Sequence, residues 1–175
     1  MTELRTERLT LRPARAEDAP CFALGVSDFA VARWLTPLPF PFTLAMASDW
    51  LRAAPEGNAA RKLFIIDLED RGLIGCVALG PELGFWISRP HWGKGYGTEA
   101  ASAAVNWHFE ETGADAIRSS AQHDNRASLR LKARLGFVET GREMRFSHAL
   151  QHNVSHVLTR LTREDWAARE TKRCA

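Results

Sequence analysis

The stretch Leu83-Gly-Phe-Trp-Ile-Ser-Arg-Pro-His-Trp-Gly-Lys-Gly-Tyr-Gly-Thr-Glu99 constrains the fold more than any other part of the chain. It reads as a strand, a glycine-rich turn and a helix start. Gly93, Gly95 and Gly97 withdraw Cβ atoms from alternate positions, so backbone amides there can approach an anion closely. A helix opening near Gly97 adds unpaired N–H groups and the positive end of its dipole. Together these make a pyrophosphate cradle, against the plain alternative of a tight turn before a helix. A P-loop requires Gly-Lys-Ser/Thr at its end, and Lys94 is followed by Gly95. The dinucleotide pattern GxGxxG fails from Gly93, where Thr98 holds the last position, and survives from Gly95 only through the permitted Ala100. That motif opens the first turn of a parallel sheet, whereas a meander precedes it here, which argues against NAD.

The meander is read from three apolar runs, Lys62 to Leu68, Leu73 to Leu79 and Leu83 to Ser88, joined by Glu69-Asp-Arg-Gly72 and Gly80-Pro81. Ahead of it, Arg8-Leu-Thr-Leu-Arg-Pro13 alternates as a half-buried strand. Helical stretches follow from Glu17 and Asp18 through Leu24, from an Asp28 cap through Leu35, and from a Thr43 cap to Ala54. Behind it, an alanine-rich helix runs from Gly97 to Thr112, then a strand from Ala116 to Ala121 and a helix from Asn125 to Leu135 closed by Gly136. Phe137 to Ser147 and Val154 to Leu161 are the last strands. A helix between the third meander strand and Ala116 permits a parallel crossover, so the expected sheet is mixed and the class α+β or mixed α/β. At 175 residues, without internal repeat or linker, the expectation is a single domain over 1–175.

Composition excludes several function classes. Hydrophobic residues make up 45% and charged residues 25%, the balance of a globular protein, and a net charge of +2 supplies no global field for nucleic acid or an anionic membrane. The first eight residues are too charged for a secretory signal, and Trp34 to Ser48 is too short and proline-rich to span a bilayer. Cys21, Cys76 and Cys174 form no CxxC pair, which points to a reducing, cytoplasmic compartment. His148, His152 and His156 recur every four residues, but Gln151-His-Asn153 reads as a turn that scatters them, so no metal is expected.

Trp92-Gly-Lys-Gly-Tyr-Gly97 resembles the (Q/R)xxGx(G/A) acetyl-CoA loop of the GNAT superfamily of N-acetyltransferases, with Trp92 at the Gln/Arg position. Asn125-Arg-Ala-Ser128 followed by Leu135-Gly-Phe137 is similar to a second hallmark, NxxS…LGF. Thr6-Glu-Arg-Leu-Thr-Leu-Arg-Pro13 and Glu82-Leu-Gly-Phe-Trp-Ile87 also resemble the branch containing ribosomal-protein alanine N-acetyltransferases. The likeness runs from about Glu7 to Trp166. It implies a GNAT-like domain with a mostly antiparallel sheet of about seven strands, splayed between the fourth and fifth, and acetyl-CoA as co-substrate without a metal. The implied acceptor is a primary amine, on a small molecule or a protein N-terminus. No direct nucleic-acid or membrane partner is implied, and the chain is expected as a monomer or homodimer.

The resemblance also distributes roles. Backbone groups of Trp86, Ile87 and Ser88 would bond pantetheine, and one N–H would polarise the acetyl carbonyl. Trp92, Gly93, Lys94, Gly95, Tyr96, Gly97 and Thr98 would hold the pyrophosphate. Asn125 would bond the pantetheine arm and Ser128 would face the sulfur; a helix cap and a small packing residue are the alternatives. Many relatives carry a tyrosine seven residues after the asparagine to protonate the thiolate. This chain has Lys132 there, and its single tyrosine is Tyr96. That phenol is therefore absent, and Ser128 becomes the expected partner of the sulfur. Arg126, Arg130 and Arg134 share a helical face, and Arg130 or Lys132 is a candidate for the 3′-phosphate. Glu82 is the first candidate to take the acceptor's proton, and His123 the second, since imidazole titrates near neutral pH. Trp34, Phe40, Phe42 and Trp50 gather in the N-terminal third, where the implied fold places its acceptor wall. An acyl-CoA-binding module without catalysis is the competing reading; formation of acetylated amine separates the two.

Overall fold

The computed structural model describes residues 2–53, 62–69 and 71–173, with the side chains of 170–173 excepted. Among the described residues, eight strands form two sheets. The first has the order β1 (Leu4–Arg5), β2 (Leu9–Pro13), β3 (Lys62–Leu68), β4 (Gly72–Leu79) and β5 (Gly84–Ile87), each antiparallel to its neighbour. The second has β6 (Ala116–Gln122) beside β8 (His152–Thr162), which also pairs with β7 (Val138–Ser147). Among the described residues the two sheets meet through one parallel bridge, Leu83 with Ser119. The expected mixed, mostly antiparallel α+β architecture is present, with one more strand than expected because Leu4–Arg5 pairs with β2. Counted without that two-residue strand, the splay falls between the fourth and fifth strands, β5 and β6.

Period-two alternation divides the core between the two faces of the first sheet. Phe64 and Ile66 pack with Leu9, Leu11, Val77 and the small face of α4 (Tyr96–Glu111), whose Ala100, Ala101 and Ala104 let the helix lie close. Leu63 and Ile65 face the other way, onto Phe22 and Val26 of α1 (Ala19–Val26) and onto α3 (Leu44–Arg52). Between them α2 (Phe29–Ala32) is capped by Asp28, and Thr43 caps α3. Beyond β6, α5 (Arg126–Leu135) ends at Gly136, whose φ of 93° requires the left-handed region that glycine occupies freely. A last helix, α6 (Arg163–Arg173), was not expected. It opens with Thr162 Oγ1 accepting from the Asp165 amide while donating to that residue's carboxylate. Ala54, Asp70 and Cys174, named in the sequence reading, lie outside the described residues.

Candidate active site

The loop between β5 and α4 has the conformation that its glycines permit. Gly93 and Gly95 sit at φ 75° and 84°, and Gly95 is the N-cap residue, so α4 begins at Tyr96 rather than Gly97. The first two amides of α4, those of Tyr96 and Gly97, point out of the helix, whereas Thr98 N–H already donates to the Gly95 carbonyl at 3.0 Å, which corrects the expectation that it holds the pyrophosphate. Gly97 has a different reason for being glycine: a Cβ there would stand 3.3 Å from Leu131 of α5 and 3.6 Å from Ile87 of β5. The loop is clamped from 86 residues away by Arg8, which donates to the Lys94 carbonyl at 3.0 Å, pairs with Glu99 at 2.6 Å and lies over the Tyr96 ring. Trp92 does not face a ligand with a polar end. Its Nε1 donates back to the Ile87 carbonyl at 2.6 Å, pinning the loop to the end of β5.

Beside this loop the sheet is open. Leu83 N–H donates to the Arg118 carbonyl, closing one end of a wedge between β5 and β6. From there β5 leaves β6 and stays with β4. Ser88 N–H is taken by the Ile74 carbonyl, and the Trp86 carbonyl points at Gly75, where a Cβ would lie only 2.2 Å from it. Backbone polarity alternates along a strand, so the groups facing the wedge are those of Phe85 and Ile87. This corrects the assignment of Trp86 and Ser88: their backbone belongs to the β4 ladder, and the Trp86 ring is buried against Phe22.

The far wall of the wedge is built by β6 and α5. Asn125 caps α5, its Oδ1 accepting from Ser128 N–H at 3.1 Å. Ser128 and Lys132 are four residues apart, on one face of the helix. Lys132 is 2% exposed and donates from Nζ to the Ser120 carbonyl. The Arg118 carbonyl already points to β5, so alternation turns the Ser120 carbonyl the same way, toward a strand that has left. Lys132 fills the vacancy left by the splay. Burial pushes its amine down to about 7, opposed by Glu82 and assisted by Arg145. A residue so enclosed is not placed to meet a 3′-phosphate in solvent, which corrects that expectation; Arg130 on the same helix is exposed.

Glu82 is engaged as well. Arg145 of β7 reaches it with both terminal nitrogens, at 2.5 and 3.0 Å, and Ser120 Oγ donates at 2.7 Å. The Arg145 hydrogen bonds and charge hold this carboxyl below the ordinary range, with the Ser120 bond helping against burial. A carboxylate so loaded is a weak base. The chain of contacts continues through His156, whose Nδ1 lies 3.3 Å from Ser120 Oγ and whose Nε2 lies 2.8 Å from Thr36 Oγ1. Burial lowers the His156 imidazole. His123, just past β6, is exposed and joined to β8 by its backbone N–H. His148 and His152 are exposed while His156 is buried, and among the described residues no three His, Cys, Asp or Glu gather to hold a metal.

The acetyltransferase (GNAT) domain family matches residues 8–138. The chain belongs to the GNAT family of acetyltransferases. It is 35% identical over 150 residues to the N-acetyltransferase YoaA of Bacillus subtilis, covering 79% of this chain and 84% of that one. It is 29% identical over 153 residues to the N-acetyltransferase p20 of Bacillus licheniformis, covering 81% and 85%. Its fold superposes with a TM-score of 0.79 on a ribosomal-protein-S5-alanine acetyltransferase from Vibrio fischeri, at 20% identity over 95% of this chain and 99% of that one. The protein is thus an N-acetyltransferase that uses acetyl-CoA, as the resemblance implied.

In this GNAT chain the structure brings together Ile87, the Gly93–Thr98 loop, Asn125, Ser128 and Lys132 around the wedge, with Glu82 at its closed end. It leaves His123 at the rim. Sequence reasoning missed Arg8, Ser120, Arg145 and His156. Arg8 stood in view inside the quoted Thr6–Pro13 motif; the other three carry no local signal, since their partners come from distant strands.

Proposed function

We propose that the chain moves the acetyl group of acetyl-CoA directly to a primary amine within a ternary complex, as one domain spanning 1–175, in the cytoplasm. The observation that carries this reading is the juxtaposition of the Gly93–Thr98 loop with the β5–β6 wedge. A pyrophosphate held by the loop amides leaves the pantetheine arm to run along β5 toward Leu83. Ile87 N–H meets the arm, and Phe85 N–H, nearer the closed end, polarises the acetyl carbonyl. Asn125 and Ser128 line the opposite wall, with the Ser128 hydroxyl toward the sulfur. Lys94 and Tyr96 contribute backbone amides, Thr98 N–H closes the first turn on the Gly95 carbonyl, and Trp92 fixes the loop. Direct transfer is supported by the thiols: Cys76 is buried behind Trp86 with its ionisation driven far up by burial, and Cys21 is exposed on α1. Neither stands at the wedge.

The amine nitrogen attacks the acetyl carbon and sheds a proton. Glu82 is held as the partner of Arg145 and is reassigned from base to charge balance, and His123 at the rim becomes the candidate that receives the acceptor's proton. A protein N-terminus is the favoured acceptor class, supported by the alanine acetyltransferase from Vibrio fischeri with which the fold is shared. Exposed aromatic rings offer such an acceptor a surface: Phe29 and Phe40, in edge contact at 5.1 Å, and Phe146 on the β7–β8 hairpin, whose His148 N–H donates to the Thr36 carbonyl. The test is thiol release from acetyl-CoA with peptides bearing free N-terminal alanine or serine, beside spermidine and aminoglycosides. Turnover with peptides alone is expected. Turnover with small amines alone would overturn the acceptor class, and acetyl-CoA binding without any turnover would overturn transfer.

A further inference from the structure

We propose that Lys132, at the closed end of the β5–β6 wedge, donates the proton that the departing CoA sulfur takes up. The inference rests on the acetyl-transfer reading above and adds the identity of the acid. Three observations carry it. The amine is placed by the splay itself, because it bonds the Ser120 carbonyl that β5 abandons. It is enclosed, with 2% exposure, on the same face of α5 as Ser128 and one turn further in. Its charged neighbours already neutralise one another: Glu82 from the β5 side is bound by Arg145 of β7, which also pairs with Glu143 of the same strand. His156 of β8 faces the same serine. Glu82 only partly offsets the burial of the ammonium, because it is already engaged by Arg145, so the proton is readily given up. Burial brings the amine to about 7, below an ordinary thiol, so transfer from ammonium to thiolate runs downhill.

The step balances without any added reactant. The acceptor nitrogen's lone pair forms the N–C bond, and the C–S bond breaks with its electron pair left on sulfur. Sulfur takes a proton from Lys132 Nζ, the new amide nitrogen gives one to His123 and through it to solvent, and solvent reprotonates the lysine. Acetyl amide and free CoA thiol are the products.

The experiment compares wild type with Lys132→Met and Lys132→Arg. Acetyl-CoA dissociation constants are measured by calorimetry. Thiol release is followed from pH 6 to 10 with an N-terminal-alanine peptide and, from pH 7 upward and against an enzyme-free blank, with hydroxylamine, a small acceptor that is largely uncharged there. Wild-type kcat is expected to fall above neutral pH as Lys132 loses its proton. Both variants are expected to lose about 10²–10⁴-fold in kcat, to keep acetyl-CoA affinity within about threefold, and to lack the alkaline fall. Arginine keeps a charge but releases no proton in this range, so it separates an acid from a mere cation. Wild-type kcat in Lys132→Arg, or an alkaline fall that persists in both variants, would overturn the proposal. Acetyl-CoA binding by wild type with no thiol release for either acceptor would instead overturn the transfer reading on which it rests.

Discussion

Replacing Lys132 with methionine should make the protein more stable at neutral pH and less stable at high pH. The folded amine titrates at about 7 against an ordinary lysine value of 10.5. Between those two values the unfolded chain binds more protons than the folded one, so wild-type stability rises with pH across that window and is fully restored only above it. Each tenfold step in proton affinity is worth about 1.4 kcal/mol. Integrated from high pH down to pH 7, burial of this one amine destabilises the fold by about 4 kcal/mol. Methionine keeps the apolar stem and removes the titration. It also strands the Ser120 carbonyl, which costs about 1–3 kcal/mol.

The net expectation is a gain of about 1–3 kcal/mol at pH 7, or roughly 2–12 °C in Tm for a chain of this size. At pH 10.5 the neutral lysine still donates its hydrogen bond, and the variant should fall below wild type by about the carbonyl term. Glu82, Arg145, Glu143 and His156 face the site in both proteins, so their own titrations largely cancel in the difference. Urea melts at five pH values between 6.5 and 10.5 give the difference curve. A flat difference, or a variant less stable throughout, would show that Lys132 titrates as an exposed lysine and would refute the reasoning.

Three further outcomes follow from the same geometry. Gly95→Val forces a branched residue to φ 84° with its Cβ about 3.3 Å from the Arg8 guanidinium, so acetyl-CoA binding by calorimetry should be lost while circular dichroism stays native. Ser128→Ala should lower kcat and kcat/KM together by about 10–150-fold through loss of a hydrogen bond to developing charge; thiol release at saturating acetyl-CoA checks this, and the alkaline fall should remain. Glu82→Gln removes the charge that raises the Lys132 amine, so the alkaline limb of kcat should move to lower pH, which a pH series of the variant would reveal.

What the chain shows to a reader of its sequence is what neighbours in sequence decide. The positive φ at Gly95, the Asn125 cap and the left-handed Gly136 are each fixed within a few residues, and each was legible. Thr162-Arg-Glu-Asp165 carries a local capping signal for α6 as well. The pairing of Glu82 with Arg145 spans 63 residues and depends on how β7 lies across the end of β6. The sequence alone leaves Glu82 free to act as a base, and only the assembled sheet shows it engaged. Lys132 misled for a related reason. On a helix rich in arginine it reads as a cation for the 3′-phosphate, yet it stands with Ser128 and Leu135 on the inward face.

A splayed sheet leaves carbonyls without partners, and the fold must supply a donor or admit water. At the Ser120 carbonyl a serine, an asparagine or an ordered water would serve with far less loss of stability than a buried amine. The lysine is the one choice whose donor strength depends on charge nearby. With the site at rest, Glu82 and Arg145 cancel and the ammonium is poorly stabilised. When charge gathers on a sulfur at the closed end of the wedge, that charge attracts the ammonium proton and the strain of burial is released in the step itself. An interaction weak in the ground state and strong in the transition state is the kind that raises kcat rather than affinity. A residue that destabilises the folded chain at neutral pH while serving that step is what a trade of stability for activity looks like at one side chain.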